Sequence, residues 1–239
     1  MAKAQLRRRL GFYSAFSLVV GSVIGSGIFL VATDISKSIG NPWIALSVWA
    51  TAAVLTLLGA LVYGELAAAF PGAGGPYLYL RESFGPVVGF LYGWTLTLVI
   101  QPGSIAAVAV AFGKYLSALV PMNPTGVLIS ASLAVLGLTW INLLGVKRGA
   151  SVSDFLSGLK VVALIILAGV GIFATGIATP TAFQEVAPTF EGWSAFGVAL
   201  IAAFWAFDGW NNVSFISGEV KNPQRNLPLA LAGGILAVA

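Results

Sequence analysis

Gly21-Ser22-Val23-Ile24-Gly25-Ser26-Gly27-Ile28-Phe29 lies at the centre of an apolar stretch running from about residue 11 to residue 33. That stretch is long enough to cross a bilayer, since a helix needs roughly 20 apolar residues to span the hydrocarbon layer. Its middle is poorly suited to a helix. Three glycines and two serines fall within the seven residues 21–27; each glycine weakens a helix by about 1 kcal/mol relative to alanine and frees the backbone to leave helical geometry. Unwound backbone at membrane depth is tolerated only where it is buried in protein or lines a cavity. The segment alone therefore supports two readings. One is a site at mid-membrane; the other is close packing of helices through small residues four apart, as Gly21 and Gly25 are.

Working outward, the same window finds further spans at 42–68, 86–111, 125–144, 155–177 and 193–217, and a seventh apolar run that starts at 227 and continues to Ala239. The fold class expected is all-α, a polytopic transmembrane helical bundle, with residues 1–239 forming one transmembrane domain. Only 8% of the residues are charged, too few to solvate a globular surface when soluble domains carry about 25%. Continuous apolarity without alternation excludes a β-barrel. Lys3 and Arg7–Arg9 ahead of the first stretch resemble a signal peptide, but the apolar run is too long and has no small-residue cleavage site. The basic residues are scattered between apolar runs rather than gathered on a face, so the net charge of +4 sets topology and does not imply a nucleic-acid partner. With a cytoplasmic N-terminus, the inside segments hold Lys3, Arg7, Arg8, Arg9, Arg81, Lys147, Arg148, Lys221 and Arg225, while the outside holds Lys37 and Lys114. The loop 178–192 carries Glu185 and Glu191 and no basic residue. This asymmetry supports that orientation. With no cysteine and no histidine, disulfide frameworks, thiol chemistry and the usual zinc clusters are excluded, and no metal or cofactor is expected. No nucleophile–base pair can be assembled, so an enzyme is not expected.

The sixth span decides between the two readings of the first. It too is interrupted at its middle, by Trp205-Ala206-Phe207-Asp208-Gly209-Trp210-Asn211-Asn212, a run with a carboxylate, a glycine and two amides. Breaks in spans one and six are the pattern of inverted-repeat transporters, which bind substrate at the midplane. The N-termini of the half-helices carry unsatisfied N–H groups and a positive dipole end, which suit a carboxylate. The freed carbonyls suit an ammonium. A zwitterion of the α-amino-acid type matches both.

Gly21 to Phe29, the loop Phe70-Pro71-Gly72-Ala73-Gly74-Gly75-Pro76-Tyr77, the run Trp205 to Asn211 and the stretch Gly218 to Pro228 together resemble the amino acid–polyamine–organocation superfamily. They are most similar to its L-type amino acid transporter branch. The resemblance covers the whole chain. It implies a leucine-transporter-like fold of twelve spans, of which residues 1–239 would be about the first seven, and alternating access, usually with exchange of amino acids. It implies further that Gly25, Ser26 and Gly27 donate backbone N–H groups to the substrate carboxylate. The carbonyls of Val23, Ile24, Trp205, Ala206 and Phe207 would receive the ammonium. Trp205 would stand where relatives place an aromatic outer gate, and Asn211 beside the side-chain pocket. Eukaryotic members pair with a heavy chain through a cysteine. Its absence here argues against a disulfide-linked heavy chain and for a bacterial-type transporter in the inner membrane.

Two ionisable residues stand inside spans. Lys160 is about two turns into the fifth, where a charge is costly and usually functional; its stem is also long enough to snorkel toward the interface. The resemblance implies that it reaches toward the break in the first helix, where sodium-coupled relatives hold an ion. Asp208 either caps the inner half of the sixth span, accepting N–H groups from Trp210 or Asn211, or faces the pocket and attracts a cationic side chain. The apolar neighbours Ile24, Trp205 and Phe207 favour neutral substrates. The reading reached is a sodium-independent exchanger of neutral L-amino acids. A proton-coupled or cationic amino acid or polyamine transporter is the alternative, and a channel or a membrane scaffold is remote, because channels use symmetric rings of polar groups. Residues 71–85 are expected to hold a short helix from about Tyr77 to Glu82, and Pro228 to begin span seven.

Overall fold

The computed structural model describes residues 7–173 and 192–239. Lys3, the last residues of the fifth expected span and nearly all of the loop 178–192 lie outside them. Within the described residues the chain is helical throughout. The first expected span is two helices, α1 (Phe12–Val23) and α2 (Gly27–Ile39), meeting at a bend of 45°. The bend is where the glycines fall. Asn41 starts α3 (Pro42–Ala69) by accepting the Trp43 and Ile44 amides at 2.9 Å and 3.3 Å, with Pro42 at the first position, where a missing N–H costs nothing. A short α4 (Pro76–Phe84) occupies the loop in which a helix was expected.

The third span is continuous from Pro86 to Leu119 but not uniform. It comprises α5 (Pro86–Thr95), one wide turn (Leu96–Ile100) and α6 (Gln101–Leu119). Pro102 has no N–H for the carbonyl four residues back, and its ring would clash there; the wide turn immediately ahead absorbs the defect. Next come α7 (Pro124–Leu143), capped by Asn123, and α8 (Val146–Phe173). The sixth span divides into α9 (Trp193–Ala206) and a tight 3-10 segment (Trp210–Glu219). Finally α10 spans Pro223–Val238. Its start lies ahead of the expected 227, and Pro228 sits inside the helix while Pro223 takes the first turn.

Among the described residues, four helices are long and apolar enough to cross a membrane, and the bent α1–α2 pair makes a fifth. In α8 the described apolar stretch is the shorter Gly158–Gly171. Several such helices in one chain make it part of an integral, multi-pass membrane protein.

The packing divides into two groups. α1–α2, α3, α9 with its 3-10 segment, and α10 form a bundle, and nearly all fully buried residues belong to it. α5, α6, α7 and α8 form an arm in which α6 packs on α7 and α7 on α8. Where the two groups touch, the Tyr115 hydroxyl donates to the Phe29 carbonyl at 3.3 Å. Buried stripes in the bundle recur every three or four residues: Ala15, Val19 and Val23 on α1, and Ala45, Val48, Ala52, Thr56, Ala60, Gly64 and Ala67 on α3. Lipid tails are as apolar as leucine, so association here depends on close fit and not on expulsion of water, and small residues provide that fit.

Gly64 marks the tightest point between α3 and α10, where a Cβ would come 3.0 Å from the Pro228 Cα. On α7, Gly137 has nothing within 4 Å. Gly64→Ala should therefore destabilise the detergent-solubilised chain by about 1–3 kcal/mol, the range of overpacking, while Gly137→Ala should be neutral or slightly stabilising. Thermal unfolding of both variants checks this.

Candidate functional site

Between α1 and α2 the chain turns at Ile24 (φ −69°, ψ 74°), and the Gly25 N–H donates back to the Val23 carbonyl at 2.6 Å. That inverse γ-turn uses up two groups expected to face the substrate. The free donors lie just beyond. Phe29 and Leu30 donate to the Ser26 carbonyl, whereas the N–H groups of Ser26, Gly27 and Ile28 have no backbone acceptor, being first in a helix whose preceding residues are not helical. Ser26 makes no side-chain cap.

The second break is built around Gly209 (φ 97°), a left-handed conformation that a Cβ would strain. The Asp208 N–H returns to the Trp205 carbonyl at 3.3 Å and Asn212 to Gly209 at 3.0 Å. The carbonyls of Ala206 and Phe207 receive no backbone hydrogen bond. The two breaks then lock together. A Cβ on Gly27 would stand 2.6 Å from the Ala206 Cα and 3.2 Å from the Trp205 oxygen, and one on Gly209 would stand 3.0 Å from the Ser22 oxygen. Both readings of the first-span glycines thus hold at once, because the break is also the point of closest packing.

Beside this crossing is a cavity of about 530 Å³ lined by Val23, Ile24, Ile28, Trp49, Leu164 and Phe207 among others. Its wall is apolar; Ile28, with its free N–H, and Ala206 and Phe207, with their free carbonyls, line it, whereas Gly25, Ser26 and Gly27 do not. The Trp49 ring meets that of Phe207 edge-on at 6.2 Å. Of the residues singled out from sequence, Val23, Ile24, Ala206 and Phe207 line it. Trp205 is half-buried against the core and does not. Asn211 turns away, its side chain in hydrogen-bonding reach of the Tyr63 hydroxyl. Asp208 is exposed, accepts no hydrogen bond among the described residues, and leaves the cap position to Gly209, so the expected capping is not made. On α8, Gly158 and Val161 face Val20, Gly21 and Ile24 across a gap of about 250 Å³. Lys160, between them in sequence, makes no hydrogen bond or ion pair among the described residues.

Ile28, Trp49 and Leu164 are among the lining residues that the sequence did not point to. The Ile28 N–H was within reach, since the first amides of any half-helix are orphaned. Trp49 and Leu164 carried no signal, because an aromatic or a leucine in a membrane span is unremarked until its partner is known.

A family model described as amino acid permease matches residues 10–239. Among curated relatives, the b(0,+)-type amino acid transporter 1 of Mus musculus is 35% identical over 96% of this chain and 48% of its own length. The Asc-type amino acid transporter 1 of Homo sapiens is 31% identical over 96% and 45%. The large neutral amino acids transporter small subunit 2 of Rattus norvegicus is 35% identical over 95% and 44%. The chain spans about half the length of these relatives.

The crossing separates two glycines that look equivalent in sequence. Gly27→Ala, facing backbone that cannot move aside, should cost about 1–3 kcal/mol. Gly25→Ala meets only ordinary contacts, the nearest at 3.7 Å, and should fold as the parent does. Thermal unfolding of both variants measures the difference.

Proposed function

The chain belongs to the amino acid permease family, and from that premise we propose that it is the first part of a secondary transporter that exchanges neutral L-amino acids by alternating access, without sodium. The observation that carries the reading is the pair of interlocked breaks. Free N–H groups on Ser26, Gly27 and Ile28 start one half-helix and free carbonyls on Ala206 and Phe207 end another, and Ile28, Ala206 and Phe207 line one apolar cavity. Donors at a positive helix end suit a carboxylate, carbonyls suit an ammonium, and Ile24, Ile28, Trp49 and Phe207 suit an uncharged side chain. The division into a bundle and an arm supplies two bodies that can rock about that site. In this reading the N-terminus is cytoplasmic in a bacterial inner membrane, the substrate and the bilayer are the only partners required, and no disulfide joins residues 1–239 to a heavy chain. Lys160 provides a fixed positive charge near the first break, which disfavours a second cation there.

In proteoliposomes containing the full-length protein, uptake of labelled alanine or leucine should require unlabelled amino acid inside and proceed equally in sodium and choline media. Uptake into empty vesicles driven by a sodium or proton gradient would overturn the reading.

One observation keeps a cationic substrate in view: the uncapped carboxylate of Asp208 is free to meet one. Asp208 is nevertheless absent from the cavity wall, and an exposed carboxylate contributes little by itself. Neutral exchange by Asp208→Asn should stay within about threefold of the parent, with arginine a weak competitor in both proteins. Strong competition by arginine that disappears in Asp208→Asn reverses the choice of substrate.

A further inference from the structure

The 3-10 segment Trp210–Glu219 is gripped by three parts of the chain. Ahead of α1, the Arg9 and Leu10 N–H groups donate to the Glu219 carbonyl at 2.8 Å and 3.0 Å, and the Lys221 N–H donates to the Leu10 carbonyl at 2.8 Å. From α3, Tyr63 packs edge-on against Trp210 at 4.9 Å. From the loop before α4, the Gly74 N–H donates to the Phe215 carbonyl at 3.1 Å.

Tyr79 completes this third grip. It is only 4% exposed, its ring meets those of Tyr63 and Phe70, and its hydroxyl has Ser217 and Ser214 as neighbours. Both serines have already given their protons away, Ser214 Oγ to the Asn211 carbonyl at 2.6 Å and Ser217 Oγ to the Ser214 carbonyl at 2.7 Å. Each serine oxygen can only accept here, and the Tyr79 phenol is a donor that faces them. Burial pushes the Tyr79 phenol above its ordinary value, with Ser217 and then Ser214 pulling the other way, so the proton stays on. Yet no acceptor meets the hydroxyl at hydrogen-bond geometry in this conformation. A buried donor with acceptors close but misaligned is a contact that a small shift of the segment makes or breaks.

We propose that Tyr79 is a positioning residue: its hydroxyl is unpaired in the conformation described, and a small shift of the 3-10 segment brings it onto Ser217, pinning the inner half of the second broken helix and closing the cytoplasmic path. Its functional meaning rests on the alternating-access reading, but its test requires no flux. Residues 1–239 contain no cysteine, so a thiol placed at Val213, fully buried within the segment, reports segment opening in this part of the chain. In the full-length Val213→Cys protein, labelling by an impermeant maleimide from the cytoplasmic face of inside-out vesicles is the measurement. Adding Tyr79→Phe should speed labelling about fivefold, the effect of one lost hydrogen bond of ordinary strength. Ser217→Ala should do the same, and the double variant no more than either alone. Rates unchanged in either single variant, or additive in the double, overturn the assignment. Failure of exchange in proteoliposomes with these labelling effects intact would instead count against the transport reading.

Discussion

Two backbones touch where neither carries a side chain. Gly27 lies against Ala206, and Gly209 against the Ser22 carbonyl. A peptide in hydrocarbon cannot leave its N–H and C=O groups unpaired without a cost of several kcal/mol each. The two interruptions therefore have to shelter each other. Crossing at the breaks hides unwound backbone inside protein, and the same closeness sets the free donors of one half-helix beside the free carbonyls of another. Stability and recognition make the same demand on these positions. Enlarging either glycine removes both.

The rest of the bundle is arranged to allow that approach. The alanine and glycine stripe on α3, with Ala15 on α1 and Ala230 and Gly234 on α10, lets the axes come close, and the large apolar side chains of α5 to α8 are mostly turned outward. The arm is joined to the bundle by far fewer contacts than the bundle makes within itself. Two rigid bodies with a thin seam between them can move relative to each other at low cost, whereas four interlocked helices cannot.

Much of this architecture was legible in the residues. The apolar runs located the helices, and the glycines at 21–27 and the Asp208-Gly209 pair located both breaks, because backbone freedom and polar groups are conspicuous in a lipid-soluble chain. The failures concern direction. Gly25 and Gly27 read alike, yet one closes a γ-turn and the other meets backbone, a difference that exists only once α9 lies across α2. Asp208 has the composition of a cap, but Gly209 takes the cap geometry. Asn211 was placed beside the pocket by the resemblance, and its side chain instead follows Tyr63, which is far away in the chain. Pro228 looks like a helix start, and Pro223 is a better one because a helix can begin before its apolar run does. Each miss is a question of which way a side chain points, and that is settled by a partner the sequence does not place nearby.

The parallel bridge between Leu10 and Val220 joins positions nearly the whole described chain apart. It bears on how the protein is made. A ribosome adding about 5–20 residues per second delivers the N-terminal half-helix into the membrane on the order of ten to forty seconds before its strand partner exists. During that interval α1 has neither the 3-10 segment nor α10 to pack against, and its loosened glycine hinge must be held by something other than its final neighbours. The site is therefore the last part of residues 1–239 to be assembled, although it begins with the earliest of their described helices.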